Sequence, residues 1–138
     1  MKELMKAIHN HYDTSLIFKP MLASDAFYYG RGKQDDNLPY CVYTAGETSN
    51  ENTHSSVISG IPIQMNIYTR SSTTPGECFD VLEACRELFE NQVLTVTDYY
   101  NVLFDKIIEV PPMSVSDGTK WMAVIEFNCL LQKREVLL

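Results

Sequence analysis

Apolar side chains recur at helical spacing at the start of the chain, where Leu4, Met5, Ile8 and Tyr12 form one stripe over about residues 2–12. Asp13-Thr14-Ser15 ends that helix. Residues 16–37 are mixed: an apolar Leu16-Ile17-Phe18, then Pro20, then the aromatic run Phe27-Tyr28-Tyr29. Gly30 to Asn37 is polar and glycine-bearing and reads as a loop. Leu38 to Thr44 is aromatic and β-branched and predicts a strand, with Pro39 tolerable only at its start or on an edge.

Ala45 to Gly60 is dominated by Ser, Thr, Asn and Glu. So long a polar segment is a functional or disordered loop, or a hairpin projecting beyond the sheet, and it reads as separable from the fold. Ile63, Met65 and Ile67 then alternate with Gln64, Asn66 and Tyr68, the mark of a half-buried strand. Thr74, Pro75 and Glu77 make a helix start with a capping box. Cys78, Val81, Leu82, Cys85, Leu88 and Phe89 follow as its apolar stripe. Burying that stripe is worth on the order of 10 kcal/mol before entropy is subtracted, against about 1 kcal/mol for the cap. Packing therefore decides that this helix forms, and the cap decides where it begins.

Val93 to Thr97 suggests a short strand, and Asp98 to Asn101 a turn. Val102 to Val110 predicts a strand with Val102, Phe104, Ile108 and Val110 on one face, ended by Pro111-Pro112. Ser116-Asp117-Gly118 reads as a turn. In the last strand Trp121, Ala123, Ile125, Phe127, Cys129 and Leu131 alternate with residues that are themselves half apolar. Such a strand is central, or buried at a subunit contact. The expected architecture is a single α+β domain over 1–138. It has a mainly antiparallel sheet of about four strands, two helices packed on one face, the order α-β-β-α-β-β, and a flexible tail at 132–138.

Composition narrows function mostly by exclusion. The 138 residues are 45% hydrophobic, enough for a real core, and carry a net charge of −7. Basic residues form no stripe, so sequence-specific nucleic-acid binding is not expected. No apolar run approaches the roughly 20 residues of a membrane span, and the N-terminus lacks the apolar stretch of a signal peptide, which reads as an intracellular protein.

Cys41, Cys78, Cys85 and Cys129 show no metal-ligand spacing and read as buried free thiols. His9 and His11 lie two apart on a helix and point to different faces, so they read as surface histidines rather than metal ligands. Gly30-Arg31-Gly32-Lys33 lacks full phosphate-loop spacing. Glu77, Asp80, Glu83, Glu87 and Glu90 give the second helix an acidic face. It is either solvated or turned toward DNA or a basic partner. No catalytic set, cofactor or metal is expected, and the protein is read as not an enzyme.

Three features together resemble the tail terminator, or tail-completion, proteins of long-tailed bacteriophages and prophages. They are the Leu38-Pro39-Tyr40-Cys41-Val42 strand opening after Phe27-Tyr28-Tyr29, the alternating Ile63–Tyr68 strand running into the 75–89 helix, and the closing Trp121–Phe127 strand. The resemblance covers about residues 1–131 and is one of layout. It implies a virion structural protein of the tail and neck, made in the bacterial host cytoplasm. Such a protein forms a homo-oligomeric ring, typically a hexamer, that caps the tail-tube protein, stops tube polymerisation and meets the head-connector protein. DNA would pass through without specific binding, and no membrane is involved.

A domain of this size has a radius of gyration of roughly 14 Å, so only several copies in a closed ring can surround a duplex. Candidate subunit or tube contacts are Arg31, Lys33, Glu47, Thr48, Asn50, Glu51, Asn52, His54, Val136, Leu137 and Leu138. The alternatives are another neck or connector ring protein, or a host small-molecule-binding or regulatory α+β domain. Cys85→Asp is expected to place an unpaired charge in the helix stripe and abolish cooperative unfolding, read by circular dichroism against denaturant.

Overall fold

The computed structural model describes residues 2–23, 26–30, 38–46, 49–52, 57–70, 74–96, 102–116 and 118–132. Helix α1 runs over Lys2–Asp13 and buries Leu4, Ile8 and Tyr12. A four-residue helix α2, Phe18–Met21, follows and buries Phe18. Strands β1 (Phe27–Tyr29), β2 (Tyr40–Ala45), β3 (Ser49–Asn52) and β4 (Val57–Arg70) precede helix α3 (Pro75–Phe89). Strands β5 (Val93–Leu94), β6 (Val102–Val115) and β7 (Lys120–Gln132) complete the chain's order.

The sheet is larger than its sequence suggests. It has seven strands in the order β1-β2-β4-β7-β6-β5, with β3 beside β4. This corrects the expectation of about four strands and two helices in the order α-β-β-α-β-β. Among the described residues there are three helices, strand residues outnumber helical ones, and the sheet is curled and mixed, because β1 pairs parallel with β2 while the other pairings are antiparallel.

The additional elements are short. β5 has two residues, β1 three and α2 four, too few for a periodic pattern to register. β1 is held by its neighbours: Cys41 N–H donates to the Ala26 carbonyl at 2.9 Å and Gly30 N–H to that of Tyr43 at 3.0 Å. Pro39 precedes β2, and the Leu38–Pro39 bond is cis.

β6 also runs past its expected end. Pro111-Pro112 does not stop it; the ladder shifts register between Val110 and Met113 and resumes, since a proline is tolerated where a bulge already releases its partner. A second shift between Lys106 and Ile108 turns Ile108 away from the face that buries Val102 and Phe104, where the uninterrupted alternation had placed it.

The polar segment 45–60 contains β3 and the start of β4, paired antiparallel from Ser49↔Gly60 to Asn52↔Val57. Ile58 to Gly60 also pair with Gln132 to Leu130 of β7, and Gly60 is buried. That half of the segment is thus continuous with the central ladder rather than separable from the fold.

All three helices lie on one face. Ile63, Met65 and Ile67 of β4 and Ala123, Ile125, Phe127 and Cys129 of β7 point toward them and are inaccessible to water. Aromatic rings knit the layers together. Phe27 stacks on Tyr12 at 4.3 Å and on Tyr43 at 4.5 Å between ring centres, while Phe89 stacks on Phe104 at 5.6 Å. α3 begins with Pro75 at its first turn, but Thr74 makes no side-chain cap hydrogen bond. The expected capping box therefore does not close, and the Glu77 carboxylate lies instead 3.8 Å from Arg70 Nε.

The other end of α3 is tied down firmly. Asn91, at φ +59°, takes the left-handed turn that commonly ends a helix, and its N–H donates to the Phe104 carbonyl at 2.8 Å. Phe89→Ala is expected to cost about 3–5 kcal/mol of stability, measured as a lowered urea midpoint, because that one ring joins α3 to β6, β7 and Phe27.

Candidate functional site

The four thiols are buried and free, with no disulfide. Burial pushes the thiols of Cys41, Cys78, Cys85 and Cys129 above the ordinary thiol range, which keeps them protonated at neutral pH. Cys85 lies 3.5 Å from Met65 sulfur to sulfur, a packing contact of the core. Among the described residues no cluster of His, Cys, Asp and Glu is arranged to hold a metal ion. Among them, too, no helix is long and apolar enough to cross a membrane.

The two histidines differ. His9 is exposed beside Asp13, at 3.8 Å. His11 is half-buried: its Nε2–H donates to the Leu88 carbonyl at 2.8 Å, and its ring meets Phe89 edge-on at 5.4 Å. It supplies a donor to one of the carbonyls that the last turn of a helix leaves unsatisfied, and so ties α1 to α3. The expectation of two surface histidines holds for His9 only.

The acidic helix is not a uniform wall. Arg86 sits in its last turn, with Nη1 donating to Glu109 at 2.9 Å and with Glu83 and Glu90 within 4.0 Å and 3.8 Å. Its hydrogen bond to the Glu109 carboxylate raises the guanidinium pKa above its ordinary value. Lys106 reaches Glu90 at 3.8 Å. α3 and β6 are thus pinned by a charge cluster, while Asp80 and Glu87 stand exposed.

Of the predicted contact residues, Arg31, Lys33, Glu47, Thr48, His54, Val136, Leu137 and Leu138 lie outside the described residues. Asn50, Glu51 and Asn52 lie in β3, at the end of the sheet away from α3.

Two apolar surfaces stand out that local sequence patterns do not flag. The first is the helix-free face of the sheet. Cross-strand partners share a face, so Leu103 with Leu130, Ile108 with Glu126, and Met113 with Met122 all point away from the helices. Leu103, Ile108, Met113 and Leu130 are exposed, Ile108 to 48%, and the partly buried Val110, Met122 and Val124 lie among them. The half-apolar alternation of β7 was the available signal, since it implied a strand with something on both sides.

The second surface is the turn between α1 and α2. Leu16 is 91% exposed and Ile17 62%. They border a cleft of about 430 Å³ shared with Ala84, Glu87 and Leu88 of α3. Isolated exposed apolar residues are ordinary, but clusters on a small domain mark contact sites.

No family model matches the chain, and no curated protein matches it either. Solved structures do. A chain in the virion of the native gene transfer agent particle superposes with a TM-score of 0.72 at 8% identity, covering 95% of this chain and 96% of that one. The fold is shared end to end. A second solved structure superposes with a TM-score of 0.61 at 12% identity, over 96% of this chain and 98% of the other. At such identities the likeness is one of fold.

Arg86→Met is expected to lower stability by about 1 kcal/mol, because it leaves Glu83, Glu90 and Glu109 without their shared cation at a partly solvated site. Chemical denaturation at low and high salt checks this, and the difference should shrink as salt rises.

Proposed function

We propose that this chain is a structural protein of a phage-like particle. More specifically, it is a ring-forming tail terminator that closes the tail tube and offers a surface to the head connector. The observation that carries the proposal is the full-length fold shared with a chain of a gene transfer agent virion. The resemblance of layout to tail terminators adds the finer role.

Physical features of the surface support the reading. Most of the exposed large apolar residues lie on the bare sheet face and at the α1–α2 turn, with Tyr29 and Phe79 apart from them, a distribution that suits a subunit meant for packing. The thiols are sequestered in the core, where they serve packing. A net charge of −7 per copy suits a channel that DNA crosses without being held. A neck or connector ring remains the sibling role, separated from a terminator by which neighbour is bound.

The test is assembly in vitro. Tail-tube protein encoded beside this chain is polymerised with and without it, and tube lengths are measured by electron microscopy. Capping predicts short tubes carrying a ring at one end. Tubes that grow to the same length, with no density at either end, would rule out the terminator role. Binding to the connector protein alone would move the chain to the neck.

A further inference from the structure

We infer that neighbouring copies of this chain pack head to tail. The bare sheet face of one copy receives the Leu16–Ile17 turn and adjoining cleft of the next. The inference rests on the ring reading above and specifies its contact.

The two surfaces lie on opposite sides of the domain. Leu16 and Ile17 border a cleft with α3 on the helix side, whereas Leu103, Ile108, Met113 and Leu130 point away from all three helices. Two different patches on opposite sides, each needing cover, are met together by a heterologous contact, which closes into a ring if the rotation permits. A two-fold contact of sheet face on sheet face would leave the turn bare.

The area is adequate. β4, β7 and β6 have 14, 13 and 14 residues and lie side by side. At about 3.3 Å per residue and about 4.8 Å between strands, their bare face measures on the order of 600 Å² in projection. The corrugation of side chains enlarges it further. A stable interface needs about 800 Å² from each partner.

The chemistry of the face favours protein over other occupants. Apolar residues of β6 and β7 interspersed with Asp105, Glu126, Gln64 and Asn66 make the mixed surface of a protein contact. Its carboxylates repel nucleic acid and anionic lipid alike.

Two double variants test the pairing. One carries Ile108→Lys and Leu130→Lys on the sheet face, the other Leu16→Lys and Ile17→Lys on the turn. All four positions are exposed, so circular dichroism and the unfolding midpoint should match the parent protein. Should a lysine pair lower that midpoint, glutamine at the same positions takes its place.

Masses are followed by light scattering and sedimentation over a concentration series. The parent protein should assemble, and each variant should associate roughly hundredfold more weakly, as expected for the loss of two interface anchors. The decisive sample is their mixture. The sheet-face variant keeps an intact turn and the turn variant an intact sheet face, so mixing should restore a one-to-one dimer that grows no further.

Assembly that survives both double variants would overturn the pairing while leaving a ring intact. A turn variant that still assembles, beside a monomeric sheet-face variant, would replace it with two-fold packing. Two monomeric variants whose mixture stays monomeric would also overturn it. A parent protein monomeric at every concentration would overturn the pairing and the ring reading together.

Discussion

A mismatch of lengths governs this domain. α3 has 15 residues and spans about 22 Å, while β4 and β6 each have 14 residues and extend about 46 Å. The helix starts beside Arg70, at one end of β4, and finishes where Phe89 meets Phe104 and Phe127. It therefore covers about half of the ladder. The rest of β4 carries β3 out past the helix layer. With every helix on one face, the other is left partly open: Tyr40 and Val42 are buried there, while Leu103, Ile108, Met113 and Leu130 are exposed. The domain completes a core on one side of its sheet and leaves on the other a surface suited to a neighbour.

That single core has to be held by few elements, and aromatic rings do much of the holding. Phe27 lies in a strand of three residues, yet it touches Tyr12, Phe18, Tyr43 and Phe89. A short parallel strand has little ladder energy of its own. Burial of one large ring fixes it, and in doing so fixes how α1 and α2 sit against β2. The His11 bond to the Leu88 carbonyl closes the same circuit from the helix side. The α1–α2 turn is thus anchored by Tyr12 before it and Phe18 after it, which presents Leu16 and Ile17 outward on a rigid base.

Parts of the fold with a repeating signal are legible in the sequence. The stripe Leu4, Ile8, Tyr12 gives α1, the alternation Ile63, Met65, Ile67 gives the core of β4, and Ala123 to Cys129 gives β7. Of the elements shorter than one period, β1 and α2 are not legible, because they exist only through tertiary contacts, whereas β5 falls within the short strand expected from Val93 to Thr97. Bulges are also hidden. Nothing in the local sequence announces that Lys106 and Ile108 straddle a register shift, yet that shift places Ile108 in solvent. For the same reason sequence reasoning sought the contact surface in the polar loop and the tail. A flat apolar face emerges only when exposed residues from β6 and β7 are brought together by pairing across the sheet.

Charge explains why an apolar face matters more here than an ionic one. Eleven basic residues stand against eighteen acidic ones. Several of the described cations are engaged locally: Arg86 with three glutamates, Lys106 with Glu90, Lys19 with Asp13, and Lys120 with the Tyr40 hydroxyl. Copies that meet do so against mutual repulsion, softened over a screening distance of about 8 Å at physiological salt. The attraction has to come from area removed from water, to which ionic screening is nearly indifferent. On the head-to-tail pairing proposed above, an acidic subunit with most of its exposed apolar residues on two opposed surfaces satisfies both demands. Charge keeps single copies dispersed, and association follows only where shape brings those surfaces into register.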